Sequence, residues 1–122
     1  MKIRIKGNSV RLRLSKPEVE HFAVSGYLEE RTCFGNNIFY YALQVKNTGA
    51  ELSADFDGTK ITVFIPEEKS KGWPSNNIIG FDAAIQVNED EQLLIIVEKD
   101  FKCLEDAVDD QADNYENPKA SC

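Results

Sequence analysis

The sequence has few of the residues that carry most enzyme chemistry, with a single histidine, His21, among its 122 residues. His21 precedes Phe22 and lies off the apolar stripe of a predicted helix, so a solvent-facing position is expected for it. A Ser-His-Asp catalytic triad or a Cys-His catalytic dyad would depend on this one histidine. Enzymes of those classes are therefore disfavoured.

Cysteine is also scarce, since the chain has only Cys33, Cys103 and Cys122. An odd number at wide spacing fits neither a disulfide framework nor a zinc ribbon built from Cys-x-x-Cys pairs. A reactive thiol is favoured by nearby positive charge, whereas Cys103 stands in acidic surroundings. Idle or buried thiols are expected, and the sequence leaves open a redox role for Cys103 and Cys122.

Long apolar runs are missing, because runs such as Leu93 to Val97 have the length of a strand and not the roughly 20 residues of a membrane-spanning helix. The first residues alternate basic and apolar side chains and lack the apolar stretch of a secretory signal. These absences predict a cytoplasmic protein without a membrane partner. The net charge of −7 disfavours nucleic acid as a partner, since such binding relies on clustered cations.

The charges that are present divide the chain into two ends of opposite sign. Before Pro17 there are six basic residues and no acidic one, whereas the stretch from Glu98 to Glu116 holds eight acidic residues against Lys99 and Lys102. Asp106, Asp109, Asp110 and Asp113 in that stretch do not follow the spacing of an EF-hand loop. No metal or cofactor is expected.

Alternating apolar residues and tight-turn pairs predict four β-hairpins. The turns fall at Gly7-Asn8, at Gly35-Asn36-Asn37, at Asp57-Gly58 and at residues 88–91. Between the first two hairpins, Ser15 and Glu18 form a capping-box pattern with Pro17, and Gly26 marks the stop, which predicts one short helix. Residues 67–72 are predicted to form at most a helical turn, and Trp73 is expected to pack in a loop.

These elements predict an α+β protein that is predominantly antiparallel β. The expected architecture is a meander or barrel-like curved sheet of about eight strands with one short helix after the first hairpin. The predicted domain spans residues 1–100, and residues 101–122 form an acidic C-terminal segment that is either docked or disordered. A monomer and a homodimer are both compatible with this arrangement.

The first hairpin supplies the most distinctive candidate site, because period-2 alternation places its cations on one face. Three interpretations of this basic face are open: a solvated outer surface, a dock for the acidic segment of the same chain, or a site for an external anion. An inward orientation would create a cationic tunnel, but the glutamates that triphosphate hydrolases use there are missing. The candidate ligand-binding residues are Arg4, Lys6, Arg11, Arg13, Asp100 and Cys103.

The opening stretch Lys2 to Leu14 and the closing stretch Glu98 to Leu104, followed by Asn117-Pro118 and a terminal cysteine, resemble a family of small bacterial proteins of unknown function. The resemblance spans the whole chain and implies a bacterial stand-alone domain without a known activity.

Two classes of function follow from the residues. The first is a non-enzymatic binding or interaction module with an unidentified protein partner. The second is an enzyme or binder that acts on a small, phosphate-bearing anion held by the basic face and by carboxylates such as Glu98 or Asp100.

Overall fold

The protein folds into eight β-strands and two α-helices in the computed structural model, which describes residues 1–101 and Tyr115. A 3-10 turn at Trp73–Ser75 follows the second helix. In chain order the elements are β1 (Lys2–Lys6), β2 (Ser9–Leu14), α1 (Lys16–Ser25), β3 (Tyr27–Cys33), β4 (Ile38–Lys46), β5 (Ser53–Phe56), β6 (Lys60–Pro66), α2 (Glu67–Ser70), β7 (Gly80–Gln86) and β8 (Gln92–Lys99).

All four predicted hairpins are present as antiparallel pairs of consecutive strands. The turn between β5 and β6 illustrates why a short stretch of sequence is sufficient to predict a hairpin. Gly58 adopts a φ of 100°, which a side chain would disfavour, and Asp57 Oδ1 accepts hydrogen bonds at 2.8 Å from the backbone N–H groups of Thr59 and Lys60.

Helix α1 begins and ends as the sequence predicts. The Ser15 hydroxyl accepts from the backbone N–H of Glu18, and the Glu18 carboxylate accepts in return from the backbone N–H of Ser15. Gly26 adopts a φ of 76° and donates its N–H to the carbonyl of Phe22 at 2.8 Å. The helix buries Val19 and Phe22, so this ten-residue element is stabilised by packing.

The eight strands form two mixed four-stranded sheets, with the orders β1-β2-β8-β7 and β3-β4-β6-β5. In each sheet two antiparallel hairpins meet through a central parallel pair, β2 with β8 and β4 with β6. The expected strand number is confirmed, whereas the antiparallel meander is wrong because each sheet has this parallel centre. The described strands also do not close into a barrel.

The two halves of the described chain have the same topology. Residues 2–46 run hairpin, helix, hairpin, and residues 53–99 repeat that order with α2 and the 3-10 turn in place of α1. The first sheet contains the first and last hairpins, and the second sheet contains the two middle ones. The helical segment of the second half corrects the expectation of a single helix, and the predicted turn at 67–72 is confirmed as α2.

One apolar core joins the two sheets and α1. Trp73 is completely buried in this core, as expected for a packing role, and its Nε1 donates to the carbonyl of Ile78 at 2.9 Å. None of the helices in the described part of the chain has the length and apolar character needed to span a bilayer. The largest buried aliphatic side chains are Leu12, Leu14, Leu43, Leu52, Ile65, Ile95, Val63 and Val97.

Candidate functional site

The cations of the first hairpin lie on the outer face of the first sheet. Along β2, Val10, Leu12 and Leu14 are buried in the core, so the intervening Arg11 and Arg13 point to the opposite face. The register places Arg4 opposite Arg11 and Lys2 opposite Arg13. The interpretation as an inward-facing cationic tunnel is therefore wrong for this hairpin.

The parallel pairing of β2 with β8 brings a carboxylate to this basic face. Arg13 lies beside Glu98 in the register, and its Nε donates to a Glu98 oxygen at 2.8 Å. The Nε of Arg11 lies 3.7 Å from the other Glu98 oxygen, which is an ionic contact beyond hydrogen-bond length. Glu98 therefore holds Arg13 firmly and Arg11 more loosely.

Asp100 brings a second carboxylate to the edge of the same face. Its carboxylate lies 2.8 Å from Lys2 Nζ in an ion pair, and its backbone N–H donates to the carbonyl of Leu14 at 2.8 Å. The Asp100 side chain is 24% exposed and that of Lys2 is 77% exposed, so this pair is a surface contact of small energetic weight. Cys103, the remaining candidate, lies outside the described residues.

A shallow depression of about 120 Å³ lies at the other end of the basic face. Arg4, Lys6 and Arg11 line it together with the apolar side chains of Leu94 and Ile96. A water molecule occupies about 30 Å³ in the liquid, so the depression has room for a group of a few non-hydrogen atoms. A phosphate or carboxylate group has this size.

The side chains of this surface are of types that can bind an anion. Guanidinium groups offer planar, paired donors to phosphate and carboxylate oxygens, and the lysine adds a compact charge. Glu98 lies on this surface and is held in ion pairs with Arg11 and Arg13. Among residues 1–101 and Tyr115, no three His, Cys, Asp or Glu side chains are grouped so that they could hold a metal ion.

Sequence reasoning missed the apolar rim of the depression and the residue that lets β8 lie so close to β7. Leu94 and Ile96 were assigned only to a strand, although the register brings Leu94 beside Ser9 and Ile96 beside Arg11.

Gly80 opposes Glu98 across β7 and β8. A glycine inside a strand signals close backbone approach, and this signal could have identified it.

A separate polar cluster surrounds the α-amino group of Met1. The ammonium group is buried and donates to the carboxylates of Glu18 and, at 2.7 Å, Glu30, while Tyr41 donates its hydroxyl proton to the Met1 carbonyl at 2.7 Å. Burial opposes the charge on the amino group, but hydrogen bonds and attraction from the two glutamates outweigh it and raise its pKa.

The same contacts lower the pKa of Glu18. Burial acts in the opposite direction, but the hydrogen bonds from the Met1 amino group and from Ser15 outweigh it. This cluster therefore fastens the start of β1 to α1 and β3 and serves as a structural clamp.

Comparison with known proteins gives a family without an assigned activity. A family of unknown function (DUF7009) matches residues 1–119, and the chain belongs to it. No curated protein and no solved structure gives a significant match. The matched region extends 18 residues beyond Phe101 and therefore covers most of the acidic C-terminal segment.

Proposed function

We propose that this member of a family of unknown function is a non-enzymatic binding module that recognises a small phosphate-bearing anion on its basic face. The observation that carries the proposal is the depression lined by Arg4, Lys6 and Arg11. Three cations surround a space of phosphate size, and Lys6 and Arg11 offer N–H donors to such a ligand.

The different ways in which Glu98 holds the two arginines support this assignment. Arg13 is fixed by a hydrogen bond of 2.8 Å, whereas the contact of Arg11 with Glu98 is 3.7 Å long. That contact does not use the N–H donors of Arg11 in a hydrogen bond with Glu98. Arg11 can therefore direct N–H groups toward a ligand while its Nε stays in ionic contact with Glu98.

The apolar rim favours a phosphate ester over bare phosphate. Leu94 is 41% exposed beside the cations, and an organic group attached to the phosphate would cover part of its surface.

The proposal includes the bacterial cytoplasm as the place of action. It also includes a monomer, because Lys2, Arg4 and Lys6 lie on the edge strand β1 and disfavour pairing with a second copy.

Isothermal titration calorimetry with tripolyphosphate and with glucose 6-phosphate tests the proposal. We expect saturable binding of both probes in 50 mM NaCl that weakens at least fivefold in 250 mM NaCl, because the contacts are ionic. Arg11→Gln should weaken binding at least fivefold. The matched control is Arg31→Gln, which removes an exposed arginine from β3 in the other sheet.

Each result of this titration has a defined meaning. If the wild-type protein binds neither probe in 50 mM NaCl, the basic face is not an external anion site, and docking of the acidic segment of the chain becomes the better interpretation. If Arg11→Gln and Arg31→Gln lose affinity equally, binding depends on the total charge of the protein. The assignment of the depression as the binding site is then wrong. If tripolyphosphate binds and glucose 6-phosphate does not, the site is polyanion-specific and the assignment of a phosphate ester as ligand is wrong.

A further inference from the structure

A second and larger cleft lies on the opposite side of β2 from the basic face. It is bounded by the end of β2, the start of α1, the 3-10 turn and the end of β8, and is named the α1–β8 cleft here. Its volume is about 470 Å³, within the range of about 300–1,000 Å³ that is typical of small-molecule sites. The cleft is lined by Leu14, Lys16, Val19, Pro74, Lys99, Asp100 and Phe101.

The base of the α1–β8 cleft is apolar and belongs to the core. Leu14 is fully buried and Val19 is 2% exposed, so both are held in place by the packing of the two sheets and α1. Pro74 and Phe101 add apolar walls, and Phe101 remains 43% exposed. A hydrophobic ligand would remove part of this surface from water, which is favourable at about 25 cal/mol per Å².

Lys99 provides a fixed positive charge at this apolar cleft. Its Nζ donates to the carbonyl of Asn76 at 2.9 Å and lies 5.8 Å from the centre of the Trp73 ring. An ammonium group has three protons, and this contact with Asn76 uses one. The group is thus held in position for a ligand and keeps donors for a carboxylate.

The other charged residues of the cleft also favour an anionic ligand. Lys16 adds a second, exposed cation at the start of α1. Asp100 lines the cleft as well, but its carboxylate is paired with Lys2 at 2.8 Å, which reduces its repulsion of an anion. The balance of charge therefore selects a ligand with a negative head over one with a positive head.

We infer that the α1–β8 cleft binds a carboxylate that carries a hydrophobic body, such as a medium-chain fatty acid. The body lies between Pro74 and Phe101 above the base formed by Leu14, and the carboxylate accepts hydrogen bonds from Lys99 with Lys16 close by. This site is separate from the depression on the basic face, because the two share no lining residue.

Trp73 makes the inference directly testable, because it is the only tryptophan in the chain and its ring contacts the Lys99 ammonium. Octanoate is titrated into the full-length protein while tryptophan fluorescence is recorded. A saturable change is expected with octanoate. Acetate has the carboxylate without the long hydrocarbon chain, and 1-octanol has the hydrocarbon chain without the carboxylate. Each should therefore bind at least tenfold more weakly than octanoate.

Two lysine variants locate the site. Lys99→Met keeps an unbranched apolar side chain but removes the charge, and it should weaken octanoate binding at least tenfold. The matched control is Lys46→Met on β4, where the lysine likewise makes one side-chain hydrogen bond, to Ser53 Oγ at 3.1 Å. If Lys99→Met proves unfolded by circular dichroism, Lys16→Met replaces it, with a threefold loss expected because Lys16 is exposed.

The inference is overturned if octanoate leaves the fluorescence unchanged, or if Lys99→Met binds octanoate as tightly as the wild type and Lys46→Met. Equal affinities for octanoate and 1-octanol would also contradict it, because the lysines would then have no part in recognition. Loss of tripolyphosphate binding in Arg11→Gln with retained octanoate binding would confirm that the two sites are separate.

Discussion

Gly80 on β7 faces Glu98 on β8 so closely that a Cβ atom at position 80 would lie 2.7 Å from the Glu98 Cβ and 2.5 Å from the carbonyl oxygen of Val97. Real Cβ atoms essentially never come this close to backbone atoms. The absence of a side chain at Gly80 therefore sets the distance between the last two strands. It also supports the position from which Glu98 reaches the arginines of β2.

Replacing this glycine should destabilise the first sheet. Gly80→Ala forces β7 and β8 apart, and the free energy of unfolding should fall by about 1–3 kcal/mol, the usual cost of overpacking. Urea denaturation followed by circular dichroism measures the loss. The control is Asp82→Ala, an exposed position two residues along the same strand. Equal stability of Gly80→Ala and the wild type would show that the two strands can separate at little cost.

The ion pairs of Glu98 should stabilise the protein while limiting its affinity for anions. In Glu98→Gln the hydrogen bond to Arg13 loses its charge, and the free energy of unfolding should fall by about 1 kcal/mol, as expected for a partly exposed pair. The basic face gains one net positive charge, so tripolyphosphate should bind more tightly, by at least threefold in 50 mM NaCl.

Calorimetry and thermal unfolding of the same Glu98→Gln sample test both effects. Asp82→Asn is the matched control, because it removes an exposed carboxylate from the same sheet without removing a partner of Arg13. Weaker anion binding in Glu98→Gln than in the wild type would mean that Glu98 holds the arginines in their binding positions. The view of Glu98 as a competitor of the ligand would then be wrong.

Trp73 should contribute to stability through its indole N–H as well as its size. Trp73→Phe loses the hydrogen bond to the Ile78 carbonyl and leaves a cavity next to Phe81, whose ring centre is 5.2 Å away. We expect a loss of roughly 2 kcal/mol in the free energy of unfolding, measured by urea denaturation. Phe56→Leu, at a position that is 62% exposed, should change stability far less.

The local elements of this fold could be predicted from the sequence, whereas the assembly of those elements could not. Glycine turns such as Asp57-Gly58 and the Ser15–Glu18 capping box act over three or four residues, so the hairpins and α1 follow from short segments. The pairing of β2 with β8 joins residues 85 positions apart, as in the contact of Arg13 with Glu98. Alternation identifies a strand's buried face but not its neighbour, and the meander prediction failed for this reason.

The same distinction applies to the candidate site. The pattern of Lys2, Arg4, Lys6, Arg11 and Arg13 predicts one cationic face, and the structure has that face. The depth of the depression, its apolar rim and the role of Glu98 all depend on the parallel register, which no short stretch of sequence specifies. The α1–β8 cleft was missed because its lining comes from four separate segments of the chain.

The clamp around the Met1 amino group should make stability depend on pH in two directions. The raised pKa of the amino group means that its contribution is complete below its ordinary value of 8.0 and is lost as the pH rises through the higher folded pKa. The lowered pKa of Glu18 means that its contribution is complete above 4.5 and is lost as the pH falls through the lower folded pKa. Between pH 4.5 and 8.0 both contributions are present.

Glu18→Gln isolates this effect, because glutamine can still accept the capping hydrogen bond from the Ser15 N–H. Urea denaturation from pH 3 to pH 11 should show a deficit of about 1–2 kcal/mol for the variant between pH 5 and pH 8. The deficit should shrink in more acidic and more alkaline solution. Glu20→Gln, an exposed position on the same helix, should show no such profile. A deficit that stays constant across the whole range would mean that Glu18 acts through packing, because a charge interaction must disappear when either partner is neutral.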